Sequence, residues 1–249
     1  MPERLAVISD VHGNLTALEA VLADIDTRGI TRVFNLGDVI GKGPRGSECI
    51  DLCRSRCELT VRGNWDTFIS RDETQLWGGA QWTRDQLTAD DLGWLAALPG
   101  SHDLIMGGRP VRLFHASSVS EFHRVPYHHT EAQFEELFTN SEFTGDGPAP
   151  LVVGYGDIHG AYLEVDLGRT LFNAGSVGNP LDAPDAPYVI LEGDTGAPSG
   201  PPVLITFARV PYDVEAEIAV ARELGMPDAD AYALELRDQL YRGATTPPA

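Results

Sequence analysis

Apolar and polar positions alternate in blocks along the first third of the chain, and the blocks predict a layered α/β fold. Arg4 to Ser9 carries the run Leu-Ala-Val-Ile and reads as a short buried strand, followed by the polar cluster Ser-Asp-Val-His-Gly-Asn. From Asn14 onward Leu15, Leu18, Val21, Leu22 and Ile25 recur at helical spacing, and Gly29 supplies a stop. A second strand, Val33 to Leu36, ends in Gly37-Asp38. A helix is expected over Gly46 to Ser55, and Leu59 to Val61 is a third strand ending in Gly63-Asn64. Strand–helix–strand–helix–strand is the pattern of a layered α/β domain, whose ligand site lies beyond the carboxyl ends of the strands. Each of these strands ends there in a polar, glycine-containing cluster.

Further along, Thr88-Ala-Asp-Asp91 has the form of a capping box opening a helix over Leu92 to Leu98, which Pro99-Gly100 closes. Leu104 to Met106 and Val111 to Phe114 read as a hairpin around Gly107-Gly108, and the second strand delivers His115. A histidine-bearing loop runs through Thr130 to a short acidic helix around Phe134 to Phe138. Strands are expected at Leu151 to Val153, Ala161 to Val165, Thr170 to Phe172, Tyr188 to Leu191 and Val203 to Phe207, with a loop over Gly193 to Pro202. A helical pattern begins at Asp213 and is interrupted by Pro227. Nothing splits the chain, so residues 1–249 read as one domain with the segment from about 213 packing on it.

The overall balance narrows the function. Of 249 residues, 18 are Lys or Arg and 37 Asp or Glu, a formal charge of −19, with 43% hydrophobic residues, ordinary for a folded globular chain. Such acidity argues against long nucleic acid as a partner, because Lys and Arg on phosphates supply most of that affinity. It leaves room for a small phosphorylated substrate, since one bound metal reverses the local field. No apolar run approaches the ~18 residues that span a bilayer, so no membrane partner is expected. Met1-Pro2-Glu3-Arg4 leads straight into a strand without signal-peptide anatomy, which points to the cytoplasm. Cys49, Cys53 and Cys57, spaced by four, fit small apolar residues on a helix face better than a thiolate metal site.

Five clusters carry candidate chemistry: Asp10-Val-His12-Gly-Asn14, Gly37-Asp38, Gly63-Asn64-Trp65-Asp66, His115-Ala-Ser, and Gly156-Asp157-Ile158-His159. Singly, each has the plain reading of a turn or helix cap. Together, Asp10 and His12 can chelate one ion, Asp38 can bridge to a second, and Asn64, His115 and His159 can complete an oxygen- and nitrogen-rich set suited to Fe, Mn or Zn. Two such ions about 3.5–4 Å apart form a clamp for displacement at phosphorus.

In this order the motifs resemble those of the calcineurin-like metallophosphoesterase family. Gly41-Lys-Gly-Pro44 and Asn173-Ala-Gly-Ser-Val-Gly-Asn-Pro180 are similar to stretches of its small prokaryotic phosphodiesterase branch. The resemblance covers roughly residues 4 to 191; the C-terminal helical segment adds little to it. It implies a four-layer α/β/β/α sandwich of two mixed sheets with two divalent metals, Mn favoured, at one edge. It implies Asp10, His12 and His159 on the first metal, Asp38 bridging, and Asn64, His115 and position 157 on the second. Asn64 and His115 would also serve catalysis, a hydroxide bridging the ions would be the nucleophile, and Asn14 would donate to a phosphate oxygen.

Two positions depart from the family pattern. Trp65 stands where a histidine often protonates the leaving oxygen, and an indole N–H cannot cycle a proton. This favours phosphodiesters, such as a nucleotide or cyclic nucleotide ester, over alkyl monoesters. Asp157 stands where Gly-His-x-His has its first histidine, either as a natural ligand exchange or as an engineered change. The alternatives are a phosphomonoesterase or a protein or dinucleoside-polyphosphate phosphatase, and a catalytically weakened scaffold of the same fold. Lys42 reads as a surface turn residue, His123, His128 and His129 as solvated loop residues, and Trp77, Trp82 and Trp94 as core or rim.

Overall fold

Strand β1 (Glu3–Ile8) divides its side chains between two cores. Leu5 and Val7 enter a cluster with Leu113, Val152 and Phe172, whereas Ala6 and Ile8 pack among Leu18, Cys49, Ile69 and Leu95. This is the period-2 consequence of a strand buried on both faces. The computed structural model describes residues 2–71 and 76–241.

β1 sits in the middle of a five-stranded sheet. On one side it pairs in parallel with β2 (Arg32–Asn35), which pairs in parallel with β3 (Leu59–Thr60). On the other side lie β9 (Ala186–Gly193) and β10 (Leu204–Val210), both antiparallel to their neighbours. The second sheet joins β4 (Ser101–Met106), β5 (Arg109–Phe114), β6 (Val152–Tyr155), β8 (Arg169–Ala174) and β7 (Ala161–Asp166) in that order, with its parallel pairs in the centre.

The helices α1 (Leu15–Thr27), α2 (Gly46–Arg56), α3 (Asn64–Ser70), α4 (Gly78–Asp85) and α5 (Ala89–Ala97) cover the outer face of the first sheet. On the second sheet, α6 (Glu131–Leu137) places Phe134 and Leu137 against Phe114, Val153 and Tyr155. The result is the expected four-layer sandwich, with the inter-sheet core hydrophobic throughout. Thr88 caps α5 as its sequence predicts, accepting from Asp91 N–H while Asp91 accepts from Thr88 N–H. Cys49 and Cys53 are buried without a disulfide, as small apolar residues.

Three features depart from the sequence reading. α3 and α4 are helices that the pattern does not announce. The loop expected from Gly193 begins after it, since Gly193 ends β9, and it also makes a bridge, Thr195 to Met106. The C-terminal helices α7 (Val214–Glu223) and α8 (Ala229–Asp238), which pack on each other through Ile218, Ala221, Tyr232 and Leu236, do more than cover the domain. Glu217 accepts from Thr16 of α1 and from Arg45, and Glu235 accepts from Asn179. Both carboxylates are fully buried.

Candidate metal centre

The parallel strands β1, β2, β3, β5 and β6 point their carboxyl ends to one edge of the sandwich, and the five sequence clusters follow those ends. Five of the residues there adopt a left-handed backbone: Asp10 (φ 53°), His12 (φ 51°), Asp38 (φ 55°), Asp157 (φ 63°) and His159 (φ 60°). For side-chain-bearing residues this region is uncommon and costs about 1 kcal/mol or more each. The loops accept it because it turns each side chain inward.

The loops are cross-tied. Asp10 N–H donates to Gly37 C=O, and His12 N–H to Asp38 C=O. The Asn173–Pro180 stretch clamps them from the other side: Ser176 Oγ donates to Asp10 C=O and Gly178 N–H to the same oxygen. Asp66, quoted in the third cluster but without a role from sequence, is fully buried. It accepts from Asp38 N–H (2.9 Å), Val39 N–H (3.0 Å) and Gly63 N–H (2.9 Å). Gly63 is required beside it, because a Cβ there would collide with the Asp38 carboxylate.

Three imidazoles converge. His12, His115 and His159 each point Nδ1 at a main-chain carbonyl: Ile40 O at 3.2 Å, Leu36 O at 2.8 Å and Asn179 O at 2.7 Å. A carbonyl only accepts, so Nδ1 carries a proton and Nε2 is the nitrogen turned to the cluster, the arrangement of metal-ligating histidines. The His12 and His159 Nε2 atoms face each other at 3.0 Å, with Asp10 Oδ1 at 3.6 Å and 3.3 Å from them respectively. Asp38 Oδ2 lies 3.6 Å from His12 Nε2 and 3.5 Å from His115 Nε2, placing it between the two groups. Its other oxygen accepts from Trp65 N–H at 2.8 Å.

Asp10 Oδ1 and His115 Nε2 are buried without a hydrogen-bond partner, a costly state that a cation between them would relieve. Asp10, His12 and His159 form one group with ligand atoms within 4.8 Å of one another, and Asp10, Asp38 and His115 a second. The donor set therefore fits the metals that the fold family implies. Electrostatics agree. Burial pushes His12 down to about 3, keeping it a neutral ligand. Burial opposes charging His115 as well, but Asp38, Asp10 and Asp157 overcome it and hold that imidazole up at about 9. A site that protonates a buried imidazole is one that seeks positive charge.

The remaining predicted residues sit differently. Asn64 and Asp157 lie at the rim of the cluster, joined by Asn64 Nδ2 to Asp157 Oδ1 at 3.2 Å; the amide carbonyl is the Asn64 atom able to ligate. Asp157 Oδ1 is 3.8 Å from His115 Nε2, but both its oxygens are also engaged by Arg124, from Nε and Nη2 at 2.8 Å each. Asn14 is engaged within the fold. It is fully buried as the N-cap of α1, its oxygen accepting from Ala17 N–H and its amide donating to Gly178 C=O and Tyr212 Oη. No donor is left for a phosphate.

Lys42 is a correction, being almost buried (8% exposed) and donating to Asn179 Oδ1 at 2.9 Å. Of the loop after His115, His123 pairs with Glu136 and His129 with Glu164; Arg124 is the residue that reaches the site. A cleft of about 220 Å³ opens above the cluster, lined by Asp38, Lys42, Trp65, Arg124, Asp157 and His159 among others.

The chain matches the calcineurin-like phosphoesterase superfamily domain over residues 4–196. An uncharacterized protein of Methanocaldococcus jannaschii is 32% identical over 226 residues, covering 85% of this chain and 88% of that one. A metallophosphoesterase from Sphaerobacter thermophilus superposes with a TM-score of 0.71 at 27% identity, over 96% of this chain and all of that one. A hypothetical protein from Pyrococcus horikoshii superposes with a TM-score of 0.74 at 17% identity, covering 94% and 97%.

Proposed function

The chain belongs to the calcineurin-like phosphoesterase superfamily, and from that premise we propose that it is a dimetal phosphodiesterase acting on a small phosphorylated molecule. Asp10, His12 and His159 would hold one ion, Asp38 would lie between both, and Asn64, His115 and Asp157 would hold the other. When bound, the ions supply Lewis acidity toward the phosphoryl oxygens and a water acidified to near neutrality. Mn is the favoured metal, since carboxylate, imidazole and amide oxygens suit it better than thiolate-seeking ions.

The protein's own side chains bind and orient. Lys42 and Arg124 bring positive charge to the cleft of an otherwise acidic chain, and Arg124 keeps Nη1 available for a phosphate oxygen while its Nε and Nη2 hold Asp157. Trp65 replaces a proton-cycling group at the cleft wall, which favours esters whose leaving oxygen departs without a protein acid. Small anionic esters, and neither long nucleic acid nor membrane, are the expected partners, and the cytoplasm the expected compartment.

The observation that carries this reading is the convergence of three Nε2 atoms, each fixed by a Nδ1–H bond to a carbonyl, on the buried Asp10 and Asp38 carboxylates. A second reading, a weakened scaffold, is favoured by one observation, the Arg124 fork on both oxygens of Asp157. Hydrolysis of bis(p-nitrophenyl) phosphate and p-nitrophenyl phosphate by chelator-stripped protein resupplied with Mn²⁺ tests both. The diester is expected to react faster. No turnover with Mn²⁺, Fe²⁺, Co²⁺, Ni²⁺ or Zn²⁺, in the wild type and in Asp157→His alike, overturns the hydrolase reading.

A further inference from the structure

Beside the metal cleft lies a second cleft of about 220 Å³, and the two share Lys42, Trp65 and Tyr241 in their walls. Together they fall in the size range of small-molecule sites, ~300–1,000 Å³. Their chemistry differs. The first holds carboxylate, imidazole and guanidinium groups; the second is lined by Trp65, Trp77, Trp82 and Tyr241 together with Met226 and Asp228.

The aromatic walls are held rigidly where they meet the metal centre. Trp65 and His12 meet edge to face, ring centroids 6.0 Å apart and planes at 83°, so the wall of the second cleft packs against a residue of the metal centre. Its indole lies against Gly41 (φ 88°), where a Cβ would collide with the ring. Trp77 meets Trp65 edge-on at 5.8 Å and stacks on Phe68 at 4.7 Å with planes 27° apart, yet is 57% exposed. Tyr241, also largely exposed, lies 5.1 Å from the Lys42 ammonium. Large aromatic surface left in water beside a phosphate-seeking site, and braced by its neighbours, is a stacking platform more than a core.

Apart from Lys42 and Trp65, the side chains named in the second cleft come from elements outside the metal-binding loops. Trp77 and Trp82 come from α4 and its cap, and Met226, Asp228 and Tyr241 from the C-terminal segment beyond the family match at residue 196. The C-terminal segment therefore adds Met226, Asp228 and Tyr241 to a wall whose three tryptophans lie within the family match.

We propose that this aromatic cleft is a nucleobase subsite, so that the ester presented to the metal centre is a nucleotide. The proposal deepens the phosphodiesterase reading and rests on it for the placement of the phosphate. A base stacks on the indole faces, Asp228 can accept from its amino or imino N–H, and the phosphate reaches the metal centre past Lys42, the cation common to both clefts. A simple alkyl ester has nothing to offer the tryptophans.

Two measurements test it on the Mn²⁺-loaded protein. Thymidine 5′-(p-nitrophenyl) phosphate and methyl p-nitrophenyl phosphate share a leaving group and differ by the nucleoside; the first is expected to have the higher kcat/KM. Stacking on an aromatic contributes roughly tenfold per base, so Trp77→Ala is expected to shrink the ratio of the two kcat/KM values about tenfold. Calorimetric titration with AMP and with ribose 5-phosphate reads binding without turnover: AMP is expected to bind at least tenfold tighter, and Trp77→Ala to remove most of that difference. Turnover of both esters at equal kcat/KM, with a ratio that Trp77→Ala leaves unmoved, overturns the subsite and leaves the phosphodiesterase standing. If neither ester is hydrolysed, the phosphodiesterase reading fails instead, and the AMP against ribose 5-phosphate comparison decides the base subsite alone.

Discussion

Asp66 touches no substrate-facing surface, yet the geometry makes it the fixed point of the site's second strand end. Replacing it with alanine strands three buried N–H donors, those of Asp38, Val39 and Gly63, now held at 2.9–3.0 Å. A buried donor left unsatisfied costs about 1–3 kcal/mol, and relief from burying the carboxylate offsets part of the sum, so a net loss of about 3 kcal/mol is expected. At roughly 2–4 °C per kcal/mol for a chain of this size, the melting temperature should fall about 6–12 °C. Asp66→Asn keeps one accepting oxygen and should fall about half as far. Because Asp38 loses its backbone anchor at φ 55°, its Oδ2 between His12 and His115 loses its aim, and metal affinity should drop about 10–100-fold. Circular-dichroism melts in excess chelator isolate the stability term, and calorimetric Mn²⁺ titration reads the second. An Asp66→Ala protein that melts within about 2 °C of wild type and binds Mn²⁺ equally well would refute the reasoning.

Four further outcomes are expected. Removing bound metal by chelation should lower the melting temperature by about 5–11 °C when the free ion had stood near 100 times its Kd, a linkage of about 2.7 kcal/mol; identical melts with and without chelator would contradict it. Asp157→His should free Arg124 and tighten the weaker Mn²⁺ site about tenfold by calorimetry, since the Arg124 fork competes for both Asp157 oxygens. Glu235→Ala should loosen Asn179, whose carbonyl holds His159 Nδ1, and weaken Mn²⁺ about tenfold, whereas Glu235→Gln keeps an acceptor and should bind nearly as wild type. Arg112 is fully buried with a two-pronged bond to the exposed Asp103 and further bonds to Thr139 and Asn140, so Arg112→Ala should cost about 1.5–3 kcal/mol in denaturant melts through the lost charged hydrogen bonds, and Arg112→Lys should not rescue it.

Much of the layered core and most of the metal cluster were legible because they rest on local pattern. β1, α1 and β2 announce themselves by periodicity, and each cluster directly follows a strand whose end it must occupy. What was hidden depends on distant partners. α3 begins inside a ligand motif and runs only from Asn64 to Ser70, too short for a period to register. α4 opens with Gly78-Gly79, poor helix formers, and gains its support from packing, Ala80 in the main helical core and Trp82 against the C-terminal helices. Arg124 reads as an ordinary loop cation until the fold brings it to Asp157, 33 residues later. Asn14 has the composition of a substrate donor and the position of a helix cap, and the cap prevails because α1 needs an acceptor for Ala17 N–H. No glycine marks the left-handed turns at Asp10, His12, Asp38, Asp157 and His159, so only the structure reveals that the loops bear that strain.

We propose that two divalent ions sit among Asp10, His12, Asp38, Asn64, His115, Asp157 and His159 and drive phosphodiester cleavage. Anomalous diffraction from Mn²⁺-soaked crystals, collected on the same preparation that is assayed with bis(p-nitrophenyl) phosphate, tests it most directly. Two peaks about 3.5–4 Å apart, on either side of Asp38, are expected in a preparation whose turnover depends on Mn²⁺. Anomalous density elsewhere, or none at these residues in a preparation that hydrolyses the diester, would contradict it.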